Sequence, residues 1–83
     1  METTVVVRNE SGLHARPAAR FVKAANSFKS EIRILHKGKT VNAKSMVEMM
    51  LAAISQGETI TIVTNGPDEN EAMLALTAFV SGG

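Results

Sequence analysis

The sequence contains no cysteine, tryptophan or tyrosine among its 83 residues. The lack of cysteine excludes disulfide bonds and thiolate chemistry and fits a reducing compartment, so we expect a cytoplasmic protein. No segment approaches the roughly 18 apolar residues of a membrane span, and no basic stretch followed by an apolar one marks an export signal. We therefore expect neither secretion nor membrane insertion.

The sequence also has little excess of charge, with nine Lys and Arg against eight Asp and Glu and a net charge of +1. A domain that binds nucleic acid usually shows a clear basic excess, which this total lacks. The length suits one domain, 1–83, in which 45% of the residues are hydrophobic and can form a core. Glycine and proline then mark turns inside that single domain.

Hydrophobic spacing predicts seven elements in the order β-α-β-β-α-β-α. Strands are predicted over 3–8, 30–36, near 41 and over 59–64, and helices over 15–28, from 45 to before 57, and from 68 to about 81. Alternating strands have one buried face, so all three helices should cover one side of a four-stranded antiparallel sheet. This is an α+β fold, an open-faced two-layer sandwich. The predicted core consists of Ile32, Ile34, Ile60, Ile62, Phe21, Val22, Phe28, Leu76 and Phe79.

Two predicted helices begin with the pattern of a capping box, in which a hydroxyl or carboxyl side chain and an acid three residues later satisfy each other's backbone donors. Ser45 is followed by Glu48, and Asp68 is followed by Glu71. We therefore predict reciprocal capping at both helix starts.

The segment ESGLHARPAARFV, residues 10–22, places a histidine where a loop turns into a helix. Gly12 and Pro17 bracket the change, because proline is tolerated in the first turn of a helix and rarely further in. His14 is then expected at the helix N-terminus, where unpaired backbone N–H groups and a positive macrodipole attract anions. Arg16 adds a guanidinium to the same place.

Other chemistry has weak support in the sequence. The two histidines stand apart from any set of metal ligands, Glu10, Ser11 and His14 lie too close in sequence for a hydrolase triad, and glycine-rich cofactor loops are lacking. We therefore expect no metal and no cofactor, and a structural or solvent-exposed role for His36. For His14, residue types alone leave two readings: plain capping of the helix, or a neutral imidazole that accepts a phosphoryl group.

The string SGLHARPAARFV closely resembles the active-site signature of HPr, the histidine-containing phosphocarrier of the bacterial sugar phosphotransferase system, and GKTVNAKS and NGPDENEAMLAL resemble its later blocks in the same order. The resemblance covers essentially the whole chain. It implies a phosphoryl carrier and not an enzyme: His14 would take phosphate on Nδ1 from phospho-enzyme I and pass it to IIA domains of sugar permeases. Arg16 would bind the phosphate, with the backbone of Ala15 and Arg16 and the turn fixed by Pro17 completing the site.

The same resemblance implies regulatory and docking residues. Ser45 matches the serine that HPr kinase/phosphorylase modifies in many low-GC Gram-positive members, although Glu48 stands where those members usually have glycine. HPr kinase/phosphorylase and a transcriptional regulator are thus further candidate partners of a protein expected to be monomeric. The predicted docking surface consists of Met46, Val47 and Met50 with the basic residues Arg20, Lys23 and Lys44.

Two rival functions stay open. A nitrogen-branch or regulatory paralogue would use the same histidine with other partners. An RNA-binding module can share the β-α-β-β-α-β order, but such modules stack bases on sheet aromatics, and the three phenylalanines here fall on predicted helices.

Overall fold

The computed structural model describes residues 1–82, and within them the predicted order of four strands and three helices is confirmed. The elements are β1 (Glu2–Val6), α1 (Ala15–Asn26), β2 (Glu31–His36), β3 (Lys39–Asn42), α2 (Met46–Ala52), β4 (Thr59–Asn65) and α3 (Glu69–Val80). None of these helices exceeds 12 residues, and none combines the length and hydropathy needed to cross a bilayer.

The four strands form one sheet in the order β1-β4-β2-β3, and every neighbouring pair is antiparallel. Along β2 and β4 the burial alternates, so that Ile34 and its cross-strand partner Ile62 both point into the core. A strand with period-two burial has one covered face, and the helices therefore share a single side of the sheet. The predicted open-faced sandwich is confirmed.

The core contains most of the predicted residues, together with several that periodicity did not indicate. Phe21, Leu76 and the four predicted isoleucines are fully or almost fully buried. Val22, Phe28 and Phe79 are only half-buried and pack against the edge of the core, where Phe79 meets Phe21 edge to face with ring centroids 5.6 Å apart. The additional buried apolar residues include Val7, Leu13, Met49, Ile54, Met73 and Val80.

The first helix is shorter than predicted. It ends at Asn26, because the backbone N–H and the hydroxyl of Ser27 both turn back to the carbonyl of Ala24. Phe28 therefore lies beyond the helix, and its apolar ring still packs against the core from the following turn.

The two predicted capping boxes do not form as expected. Ser45 does cap α2, since its hydroxyl accepts the N–H of Glu48 at 3.2 Å, but the Glu48 carboxylate accepts the N–H of Asn42 at 3.0 Å and not that of Ser45. At α3 the prediction is wrong, because Asp68 makes no side-chain cap. Its carboxylate instead accepts the N–H groups of Lys29 and Ser30, both at 2.9 Å, and so ties the start of α3 to the start of β2.

Candidate functional site

His14 is the N-cap residue of α1, as the sequence predicts. Its backbone is extended, with φ −82° and ψ −165°, and its carbonyl accepts the N–H of Ala18 at 2.7 Å. The His14 side chain makes no capping hydrogen bond and is exposed. The interpretation of His14 as a plain helix cap thus has no support in the geometry of its imidazole, which is exposed at the helix start and caps no backbone N–H.

The first turn of α1 offers donors and a positive charge beside this ring. Ala15 and Arg16 are the first two helical residues, and within residues 1–82 their N–H groups have no backbone acceptor. Pro17 has no N–H to satisfy, and the first turn contains no acidic residue. The Arg16 side chain is exposed and makes no ion pair in this part of the chain. These features together favour an anion at the N-terminus of α1.

The backbone that carries His14 is firmly anchored on both sides. Leu13 is fully buried, and its N–H donates to the carbonyl of Ile54 at 2.8 Å. Ala18, one turn into the helix, is also fully buried. The backbone at His14 is therefore held in place by neighbours that belong to the core, while the imidazole lies at the surface.

A second loop, which contains Ser55, contacts the His14 ring although it lies 41 positions away in the sequence. The Ser55 hydroxyl lies 3.4 Å from Nε2 of His14, and the N–H of Ser55 donates to Oε1 of Glu58 at 2.6 Å. Glu58 also pairs with the ammonium of Lys37 at 2.8 Å. Lys37 first, and then the Ser55 N–H, lower the pKa of the Glu58 carboxyl to about 2. Sequence reasoning missed Ser55, since no local pattern links residues 41 positions apart.

His36, the other histidine, lies away from this arrangement of donors. It is buried at the end of β2, with Nε2 3.2 Å from Oε2 of Glu58. Despite this distance, the contact does not have the geometry of a hydrogen bond. A structural role for His36 agrees with this burial.

The exposed face of α2 is strongly apolar. Met46, Val47 and Met50, the predicted docking residues, are all exposed, whereas Met49 is fully buried beneath the helix. Leu51 is 80% exposed and was not predicted. It follows Val47 by four residues and so lies on the same face, a spacing that could have indicated it from the sequence. The four exposed residues, Met46, Val47, Met50 and Leu51, are called the α2 surface below.

The basic residues predicted to surround the docking surface differ in exposure and in hydrogen bonding. Arg20 and Lys23 are exposed on α1. Lys44 is half-buried, and its ammonium donates to the carbonyl of Phe28 at 2.7 Å, which uses one of its three donors. Ser45, the predicted regulatory residue, is half-buried, and its hydroxyl serves as the α2 cap.

Among residues 1–82, no group of three or more acidic or histidine side chains could hold a metal ion.

Comparison with known proteins gives consistent matches over the whole domain. Residues 1–82 match the family described as PTS HPr component phosphorylation site. The HPr-like protein Crh of Halalkalibacterium halodurans is 55% identical over 80 residues, which cover 96% of this chain and 95% of that protein. The crystal structure of the phosphocarrier protein HPr from Bacillus anthracis superposes with a TM-score of 0.94 at 50% identity, covering 96% of this chain and 95% of that one.

A third match is to a protein whose crystal structure shows a dimer. The crystal structure of Crh from Bacillus subtilis, described as a catabolite repression protein, is 47% identical and has a TM-score of 0.78, covering 93% of this chain and 88% of that one. That protein forms an intertwined dimer with a swapped domain.

Proposed function

Since the chain belongs to the HPr family of phosphocarrier proteins, we propose that it carries a phosphoryl group on His14, received from phospho-enzyme I and passed to the IIA domains of sugar permeases. A member of this family is a phosphoryl carrier and not a catalyst. The observation that carries the proposal is the exposed imidazole of His14 at the N-terminus of α1, where it caps no backbone N–H.

The chemistry follows from the neighbours of that ring. The lone pair of an uncharged ring nitrogen forms a bond to phosphorus while the donor's own bond to phosphorus breaks. The new phosphoryl oxygens then face the free N–H groups of Ala15 and Arg16 and the Arg16 guanidinium. At an exposed helix end such an interaction contributes about 0.3–1 kcal/mol, and a bidentate guanidinium contributes more. A moderate total stabilisation of the bound phosphoryl group suits a carrier, because this group must also be released to the next protein.

The α2 surface supports contact with several partners in turn. Its two exposed methionines are flexible and polarizable side chains, which adapt to differently shaped apolar partners. The exposed cations Arg20 and Lys23 would steer acidic faces of enzyme I and of IIA domains toward His14. We propose a protein that works as a monomer in these encounters, and light scattering of the purified protein tests this state against the dimer of the B. subtilis relative.

A second candidate function is regulatory, and the 55% identity to an HPr-like protein Crh favours it. In this alternative HPr kinase/phosphorylase phosphorylates Ser45, and the product binds a transcriptional regulator. The phosphate would place strong acceptor oxygens at the N-terminus of α2, where a negative charge sits favourably, and it would also stand near the carboxylate of Glu48, which repels it. Both effects would act on the α2 surface from its N-terminal end.

One experiment separates the two candidates. The protein is incubated either with enzyme I and phosphoenolpyruvate or with HPr kinase and ATP, and intact mass and peptide mapping locate the phosphate. The carrier proposal predicts one acid-labile phosphate on His14, lost in His14→Ala and kept in the matched variant His36→Gln. Labelling that survives His14→Ala contradicts it. Acid-stable phosphate on Ser45 from ATP, without any His14 label from phosphoenolpyruvate, supports the regulatory alternative.

A further inference from the structure

The loop that carries His14 is packed directly against the turn of residues 53–57. The N–H of Leu13 donates to the carbonyl of Ile54, and Gly12, with φ +60°, leaves no room for a side chain because the backbone of residues 54–56 fills the space. A Cβ at Gly12 would lie 2.8 Å from Cα of Ser55. The two segments therefore hold a fixed separation, and this separation brings Ser55 to His14.

Ser55 is itself fixed from its other side. Its N–H donates to Oε1 of Glu58 at 2.6 Å, and its carbonyl accepts the N–H of Glu58 at 3.2 Å. The Glu58 carboxylate is in turn bound to Lys37 at 2.8 Å. The Ser55 backbone is thus held in a braced turn, and from this turn the Ser55 hydroxyl lies 3.4 Å from Nε2 of His14.

From this contact we propose that Ser55 is a positioning residue for phosphoryl transfer, which hydrogen-bonds Nε2 of His14 and leaves Nδ1 as the free nitrogen that faces the phosphoryl donor. The proposal rests on the carrier function proposed above. A hydroxyl can donate or accept, so it can follow the ring through both of its states. When Nδ1 carries the phosphoryl group, any ring proton must be on Nε2, and this N–H then donates to the Ser55 oxygen.

The hydrogen bond should tighten in the phosphorylated state. A distance of 3.4 Å is at the long end for a neutral pair, whereas a charged N–H donor shortens such a bond to about 2.7–2.9 Å. Groups that act in transfer are often loosely aligned before the reacting group is bound. Ser55 would therefore favour the phosphorylated ring more than the free one.

The test uses three variants of the full chain: Ser55→Ala, which removes the hydroxyl, Ser55→Thr, which keeps it, and Gln56→Ala as the matched control. Gln56 is the next residue of the same turn, and its side chain donates to the carbonyl of Arg8 at 3.3 Å, away from the imidazole. Two quantities are measured, the ¹⁵N chemical shifts of the His14 ring and the rate of phosphoryl transfer from phospho-enzyme I.

We expect Ser55→Ala to change the Nε2 shift of free and phosphorylated His14 and to slow transfer about three- to tenfold, the range for loss of one hydrogen bond. Ser55→Thr should restore both quantities, and Gln56→Ala should leave both at the wild-type values. The proposal is overturned if Ser55→Ala leaves the ring shifts and the rate unchanged, or if Gln56→Ala changes them equally.

A failure of the carrier function itself would look different. In that case the wild-type protein would take no phosphate from enzyme I, and the transfer rate would be zero in every variant. The ¹⁵N shifts of the unphosphorylated ring would still test the Ser55 contact, since they require no donor protein. An unchanged Nε2 shift in free Ser55→Ala would then refute the contact independently.

Discussion

Replacing Gly12 with alanine tests the packing between the two loops that form the site. Gly12 and Gly38 both have left-handed φ, +60° and +77°, but only Gly12 is enclosed, whereas a Cβ at Gly38 meets no atom within 4 Å. Left-handed alanine costs about 1–2 kcal/mol, partly offset by its stiffer unfolded chain. Gly38→Ala should therefore lower the free energy of unfolding by about 1 kcal/mol.

Gly12→Ala carries a second cost in addition to this backbone term. Its Cβ would lie 2.8 Å from Ser55 Cα and 2.9 Å from Gln56 N, where ordinary contact begins at 3.4 Å, and both atoms are backbone that cannot rotate away. Such overpacking costs about 1–3 kcal/mol. We therefore expect a total loss of about 2–4 kcal/mol for Gly12→Ala.

Thermal unfolding followed by circular dichroism measures the difference between the two glycines. For a domain of this size we expect Tm to fall by about 4–8 °C in Gly38→Ala and by roughly 8–32 °C in Gly12→Ala. Urea unfolding at 25 °C gives the free energies directly. If Gly12→Ala were no less stable than Gly38→Ala, the described contact between residue 12 and the turn of residues 53–57 would be wrong. The proposed role of Ser55 in positioning the His14 ring would then lose its structural basis.

Three further predictions concern charge, core and transfer. Because Lys37 and the Ser55 N–H lower the pKa of Glu58 from 4.5 to about 2, its carboxylate stabilises the fold above about pH 4.5, and this contribution is lost as the pH falls toward 2. Glu58→Gln should thus flatten the acid side of the curve of unfolding free energy against pH, and a curve parallel to the wild type would contradict this. Ile62→Ala, at a fully buried position in the middle of the sheet, should cost about 2–5 kcal/mol in urea unfolding, and a cost below 1 kcal/mol would argue against that burial. Arg16→Ala should slow transfer from phospho-enzyme I about tenfold with an unchanged Tm, since the side chain is exposed, and an equal rate would remove Arg16 from the site.

The sheet could be predicted because its signal is local. Ile32 and Ile34 alternate with polar residues along β2, and Ile60 and Ile62 do the same along β4, so each strand shows its buried face within a few residues. The N-terminus of α1 also has a local signal in the sequence. Pro17 fixes φ and lacks an N–H, which marks the first turn of a helix, and Gly12 permits the left-handed φ that the loop before His14 adopts.

The errors lie where local pairs compete with distant partners. Asp68 and Glu71 have the spacing of a capping box, but the Asp68 carboxylate binds the backbone and hydroxyl of Ser30, 38 positions away. These two donors and the N–H of Lys29 together favour the charged carboxylate. The Ser30 hydroxyl is the largest influence that lowers the pKa of Asp68 to about 2. Ser55 is a similar case, because its role depends on a contact across 41 positions that no spacing rule describes.

The site combines an anchored backbone with an exposed side chain, because the exposed residues 14–16 lie between the buried residues Leu13 and Ala18. Leu13 and Ala18 are fully buried on either side of His14, so the backbone that carries the exposed ring is held against the core. A carrier that meets one protein to receive phosphate and another to give it away needs both properties. A buried ring would be inaccessible to either partner, and an exposed ring on a loose loop would lose the alignment on which in-line transfer depends. Under the proposed carrier function, Leu13 would support transfer by holding the His14 backbone against the core, and its N–H donates to the carbonyl of Ile54 in the turn that contains Ser55.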